Sequence, residues 1–378
     1  MPGARQVAAV LPSPTVASQG STTAIVGHVS PEVPVTGLLM SQIVAGEPPV
    51  ITTEPLRLDR FHKRSVPGTH FAPHLTLRRN GPVGKLSGVM TVMITPLKND
   101  GSVNYQGFTK NINWQIGQGI HGLIALGSTG EFAALEDDEK KCIAEFVMKE
   151  VGGRVPVIIG TTAETTEKTI QYTRHAKAIG ASGVMILPSY YCKPNQEEMF
   201  THFAHVADAV DIPVVIYNNP WSSGVDMQAA TVARLARYNP NLAYIKESSA
   251  DMRRIRDIIA DCGDSVTAFC GWEDLAFESF VVGAKGWVCV IGNIAPAHSV
   301  RLFDLVVNKK DYGAAWELYK TMLPMLRYLE YSGKLQQTLK YSLDRMGLAG
   351  GPVKSPRLPP SAEDKVQIDG MLKAMGLI

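Results

Sequence analysis

Lys246 closes the apolar run Leu242-Ala243-Tyr244-Ile245-Lys246-Glu247-Ser248, so a buried strand would carry an amine to its own C-terminal end. A lysine amine attacks a carbonyl only in its neutral form, and low-polarity surroundings disfavour the ammonium form. Imine chemistry is therefore available here without a metal or an organic cofactor. Gly127-Ser128-Thr129-Gly130-Glu131 offers amides and hydroxyls to an anion such as a carboxylate. In Ile216-Tyr217-Asn218-Asn219-Pro220, Tyr217 shares a strand face with Val215, and its phenol can move protons during imine formation. Ser189-Tyr190-Tyr191-Cys192-Lys193-Pro194 adds a second phenol. Each motif also has a plainer reading: a snorkelling lysine, a helix-capping turn, a tyrosine with a structural hydrogen bond.

These groups can act together only if one scaffold gathers them. From about Leu86, short β-branched runs over 89–97, 122–127, 155–161, 183–188, 214–218, 243–248, 266–271 and 286–291 alternate with segments of helical period. Strand and helix in alternation predict right-handed crossovers, and eight units predict a closed (β/α)8 TIM barrel of the α/β class. A doubly wound open sheet is the competing arrangement, but no GxGxxG follows the first run. Barrel active sites lie at the C-terminal ends of the strands, which puts Lys246 on the catalytic side and Lys285 on the opposite one. Glu273 and Asp274, after the seventh run, are expected to form an acidic mouth unsuited to phosphate.

Helical segments over 297–307, 312–332, 335–345 and 362–375 follow, a C-terminal extension expected to pack beside the barrel or across a subunit interface. The chain thus divides into an N-terminal extension (1–85), a barrel (86–308) and a helical segment (309–378). Residues 1–85 are rich in Pro, Ser, Thr and Val without a period and read as disordered or linker-like. A cleaved targeting segment or an upstream start are alternatives; Arg5 is the only basic residue before Arg57.

A net charge of +2 and the lack of a basic-aromatic stripe argue against nucleic acid or a membrane surface as the main partner. No apolar run approaches the roughly 18 residues of a membrane span. Five scattered cysteines suggest neither a disulfide framework nor zinc, and a reducing cytoplasm is expected. His202 and His205 show no metal spacing and are expected on an exposed helix face.

In order along the chain, Gly127-Ser128-Thr129-Gly130-Glu131, Tyr190-Tyr191, Tyr217-Asn218-Asn219-Pro220 and Ile245-Lys246-Glu247-Ser248 resemble the dihydrodipicolinate synthase and N-acetylneuraminate lyase superfamily, from about Leu86 onward. The resemblance implies a class I mechanism in which Lys246 condenses with pyruvate or another 2-oxo acid. The acid's carboxylate would rest on Ser128 and Thr129, Tyr217 would assist proton transfer, and Ser128 and Tyr191 would complete a hydroxyl relay. Val288 on the eighth strand would line the substrate site. In synthase-type members the relay tyrosine crosses a dimer interface, so a homo-oligomer, tetramer or dimer, is implied.

The pattern departs from the family at one position. True dihydrodipicolinate synthases continue through Asn-x-Pro-x-Arg-Thr-Gly, and the arginine holds the aldehyde's carboxylate. Here Asn218-Asn219-Pro220-Trp221-Ser222-Ser223-Gly224 puts Ser222 at that substrate-binding position. A lost bidentate contact of this kind is worth about 1.5–3 kcal/mol. Trp221 and Trp272 point to a bulkier or less charged second substrate. The leading expectation is a Schiff-base lyase, aldolase or dehydratase, acting on pyruvate or a 2-oxo-3-deoxy sugar acid. Genuine 4-hydroxy-tetrahydrodipicolinate synthesis is the alternative, and a silent 2-oxo acid-binding barrel is the reading of another class.

Overall fold

Eight parallel strands close on themselves in chain order in the computed structural model, which describes residues 86–378. The expectation for residues 1–85 lies outside the described residues. The strands are β1 (Gly88–Val92), β2 (Gly122–Ala125), β3 (Val157–Gly160), β4 (Gly183–Ile186), β5 (Val214–Asn218), β6 (Tyr244–Glu247), β7 (Thr267–Cys270) and β8 (Gly286–Cys289). Closure runs through β1 and β8, where Gly88 stands opposite Gly286 and Thr91 opposite Cys289. Nearly every strand residue is buried, because side chains fill the barrel from inside while helices cover it outside. This is the (β/α)8 barrel that the alternating pattern predicts.

The covering helices are α1 (Tyr105–Gly117), α2 (Asp137–Val151), α3 (Thr166–Ala178), α4 (Gln196–Ala209), α5 (Pro220–Ser223), α6 (Ala229–Tyr238), α7 (Met252–Cys262) and α8 (Ala276–Val281). Local chemistry sets their ends. Asn104 and Thr165 cap α1 and α3 by accepting from the N–H groups of Gly107 and Lys168. Asn195 and Glu198 form a reciprocal capping box on α4.

Beyond β8 the chain forms α9 (Pro296–Phe303), a π-helical turn, α10 (Tyr312–Tyr331), α11 (Leu335–Arg345) and α12 (Ala362–Ala374). Leu339 and Leu343 anchor α11 by full burial, about 1.5–3 kcal/mol each. The junction of α10 and α11 lies over the barrel mouth rather than beside the barrel. There Gln336 Nε2 donates to Ser128 O at 3.2 Å, and the Glu330 carboxylate accepts from the N–H of Glu273 at 2.6 Å. Sequence periodicity shows that these helices exist but not which barrel face they meet. Among the described residues no helix is long and apolar enough to cross a membrane.

Candidate active site

β6 carries Lys246 to the barrel mouth, where the residue is only 4% exposed. Its Cα partner on β5 is Tyr217, so parallel register places the two side chains on one face of the sheet. The lysine Nζ lies 4.2 Å from the centroid of the Tyr217 ring, over its electron-rich face. The Tyr217 hydroxyl accepts from Asn219 Nδ2 at 2.8 Å, which fixes the phenol in place. Below them, the buried Asn218 donates to Glu247 Oε2 at 3.0 Å and accepts from the N–H of Met227 at 2.9 Å. Burial raises the Glu247 carboxyl against the hydrogen bonds from the Ser249 N–H and Asn218, so this network holds the strand ends instead of exposing another free charge.

A cavity of about 240 Å³ opens over Lys246, bounded by Ser128, Thr129, Tyr217, Ser222, Glu273 and Glu330 among others. Ser128–Gly130 forms a single 3-10 turn, whose opening amides have no acceptor within the turn. Glycine is required before it: a Cβ at Gly127 would stand 2.5 Å from Val92 Cγ1. This turn can receive a carboxylate while the amine attacks the neighbouring carbonyl. A second cavity of about 610 Å³ adjoins it, sharing Ser128, Ser222 and Gln336.

Of the sequence-predicted residues, Lys246, Tyr217, Ser128, Thr129 and Ser222 meet in the Lys246 cavity. Two do not. Tyr191 is 85% exposed on the loop after β4 and does not line it. Val288 is buried inside the barrel, and Val290, two residues further on, lines the cavity instead. The cavity wall begins past the end of β8, where the chain leaves the strand.

The acidic mouth also needs correction. Asp274 remains near the surface beside Arg327, but Glu273 is buried. Its carboxylate accepts from the N–H groups of Val290 (2.8 Å) and Ile291 (3.1 Å). His202 is likewise not on an exposed face: its Nδ1 lies 2.9 Å from Thr166 Oγ1 and its Nε2 is buried without a partner. Burial depresses this imidazole to about 4.

Asn219, Glu330 and Gln336 were not singled out by sequence reasoning. One signal for Glu330 was present: Met322, Leu326 and Glu330 follow at four-residue intervals on α10, so a carboxylate interrupts the buried face of that helix. Trp221, Trp272 and Tyr331 form an aromatic row across the mouth, with successive ring centroids 6.0 and 6.2 Å apart.

The sequence model of the Dihydrodipicolinate synthetase family matches residues 85–375. The chain is 38% identical over 292 residues to a 4-hydroxy-tetrahydrodipicolinate synthase of Syntrophobacter fumaroxidans, covering 77% of this chain and 99% of that one. It is 36% identical over 295 residues to the enzyme of the same name from Bartonella bacilliformis, covering 78% and 99%. Among solved structures, a putative dihydrodipicolinate synthetase from Pseudomonas aeruginosa superposes with a TM-score of 0.75 at 33% identity, covering 77% and 99%. A prophage protein of the dihydrodipicolinic acid synthase family from E. coli K12, in complex with pyruvate, gives 0.73 at 30% identity, covering 78% and 100%.

Proposed function

This chain belongs to the dihydrodipicolinate synthetase family, and we propose that it is a class I lyase working through an imine between Lys246 and pyruvate or a related 2-oxo acid. The reaction joins or cleaves a carbon–carbon bond, or dehydrates a 2-oxo-3-deoxy sugar acid. The observation that carries this reading is the buried Lys246 amine over Tyr217, in one cavity with the Ser128–Thr129 turn. The pyruvate bound to the E. coli K12 relative supports the choice of 2-oxo acid.

In this mechanism the 2-oxo acid's carboxylate binds the Ser128–Thr129 turn and its ketone faces Lys246. The amine adds, water leaves, and the iminium acts as an electron sink for deprotonation at the adjacent carbon. Tyr217 carries protons to and from the reacting atoms. Tyr191 joins the relay as a residue of a second copy of the chain, so the working form is a homo-oligomer, dimer or tetramer. A reducing cytoplasm suits the free thiols of Cys142 and Cys192, both exposed.

Where the reaction joins two carbons, the second substrate is a bulkier or less charged aldehyde than aspartate semialdehyde. Lys246 is the only basic side chain among the described residues lining the cavity, Ser222 offers no guanidinium, and Trp221 and Trp272 supply an aromatic wall, the adjoining cavity contributing Arg357. Genuine 4-hydroxy-tetrahydrodipicolinate synthesis is a second reading, favoured by the names of the curated relatives. Pyruvate consumption in the presence of aspartate semialdehyde, glyceraldehyde or benzaldehyde separates the two. Faster turnover with an uncharged aldehyde, lost in Lys246→Ala, is expected. Preference for aspartate semialdehyde would assign the synthase activity instead. Thermal stabilisation by pyruvate without turnover of any aldehyde would favour a silent binding barrel.

A further inference from the structure

Glu330 reaches the Lys246 cavity from the last turn of α10, remote in sequence from the strands that build the rest of the site. Its carboxylate accepts from the backbone N–H of Glu273 at 2.6 Å, while two amides beyond β8 hold the Glu273 carboxylate. One acid is thus fixed to the barrel and the other to the first acid's own backbone, and both line the cavity. Trp272, 8% exposed and in the same wall, has an indole N–H without a hydrogen-bond partner.

Neighbouring carboxylates in a buried site resist ionising together. Burial, then the charge of Glu330, raises Glu273 to about 8, and burial raises Glu330 to about 7. Lys246 from β6 opposes both shifts, and Asp274, near Arg327 of α10, reinforces that of Glu330. The remaining titratable groups facing Glu273 are the buried thiols of Cys270 and Cys289 on β7 and β8, both raised by burial. Tyr217 offers Lys246 its ring face while Asn219 donates to its hydroxyl, so the acid pair adds to the proton transfers of Tyr217 and does not replace them.

We propose that Glu273 and Glu330 share one proton and deliver it to the hydroxyl that leaves as water when Lys246 forms its imine, a role that rests on the imine reading above. The neutral amine adds to C2 of the 2-oxo acid, forming an N–C bond while the carbonyl π pair moves to oxygen. That oxygen takes up the proton the nitrogen gives up. The C–O bond then breaks with its electron pair leaving on oxygen, the shared proton completes a water molecule, and the nitrogen lone pair forms C=N. The carboxyl pair gains a negative charge as the nitrogen becomes a cationic iminium, so opposite charges develop together along one wall of the cavity.

Quench-flow borohydride trapping with pyruvate, from about pH 6 to about pH 9.5, tests this on the full-length protein. Wild type is compared with Glu330→Gln, whose amide oxygen can still accept from Glu273, and with Glu330→Asp. Near neutral pH the glutamine variant is expected to form the Lys246 adduct about 10²-fold more slowly, with partial recovery in the aspartate variant. The ratio of wild-type to variant rate should fall toward one above about pH 8, as the shared proton is lost. Equal rates, or a ratio unchanged with pH, would overturn the proposal. Where the glutamine variant fails to fold, the aspartate variant carries the same pH comparison. A folded wild type that forms no adduct overturns the imine reading as well, whereas an adduct formed equally fast in Glu330→Gln overturns this proposal alone.

Discussion

Lys340 Nζ lies 2.5 Å from Glu131 Oε1, and both side chains are sealed from solvent. The pair joins α11 to the end of the Ser128–Gly130 turn. Glu131 adopts a left-handed backbone (φ 59°), an uncommon conformation for a residue with a Cβ. Its other carboxylate oxygen accepts from the N–H of Lys354 at 2.8 Å, and Lys340 also donates to Pro352 O at 2.7 Å. Burial lowers the Lys340 amine and the Glu131 charge opposes that shift, so the pair is held by mutual compensation.

Removing one partner leaves an uncompensated buried charge. Lys340→Met is expected to lower the free energy of unfolding by about 3–5 kcal/mol, and Glu131→Gln by a similar amount. The double variant should lose less than the sum, because each single change already breaks the shared interaction. Denaturant unfolding of the set measures this, and strict additivity would show that the two residues act independently.

Tyr217→Phe keeps the ring under Lys246 and deletes the hydroxyl that Asn219 holds. Adduct formation with pyruvate should slow by about 10²-fold, while saturation by pyruvate changes little. A large loss of pyruvate affinity with an unchanged maximal rate would make the hydroxyl a binding group instead of a proton carrier.

Ser222→Arg restores a guanidinium at the cavity wall. For an aldehyde bearing a carboxylate, the gain expected from a charge-assisted pair is about 1.5–3 kcal/mol, roughly tenfold to a hundredfold in apparent affinity. Uncharged aldehydes should gain nothing. Competition between aspartate semialdehyde and glyceraldehyde reads the switch directly, and an equal change for both would remove Ser222 from substrate choice.

His202 predicts a pH-dependent stability. Burial depresses its imidazole from 6.5 to about 4, so between those values the unfolded chain binds a proton that the folded chain refuses. Its contribution is complete above about pH 6.5 and is lost as pH falls toward 4, about 3 kcal/mol in all. Unfolding free energy measured across that window should fall more steeply in wild type than in His202→Gln. Parallel curves would contradict the assignment.

The barrel was legible because its signals are local. Each strand is a short apolar run between turn residues, and the rule that active sites sit at C-terminal strand ends separated Lys246 from Lys285. Tyr217 followed from strand alternation and lies opposite Lys246 in register. What sequence could not place depends on packing over long distances. Glu330 and Gln336 enter the cavity only because the α10–α11 junction lies over the barrel mouth. Glu273 looked solvated because it is acidic and follows a strand, yet amides beyond β8 bury it. Val290 was not named from the sequence because the end of the last strand cannot be fixed to within two residues from composition.

Sodium borohydride reduction in the presence of pyruvate, followed by intact-protein and peptide mass spectrometry, tests the imine at Lys246 most directly. Wild type should acquire one reduced pyruvate adduct on the peptide carrying Lys246, and Lys246→Ala, folded by thermal melting, should acquire none. An adduct on another lysine, or none on folded wild type with pyruvate or longer 2-oxo acids, would contradict the central role given to this residue.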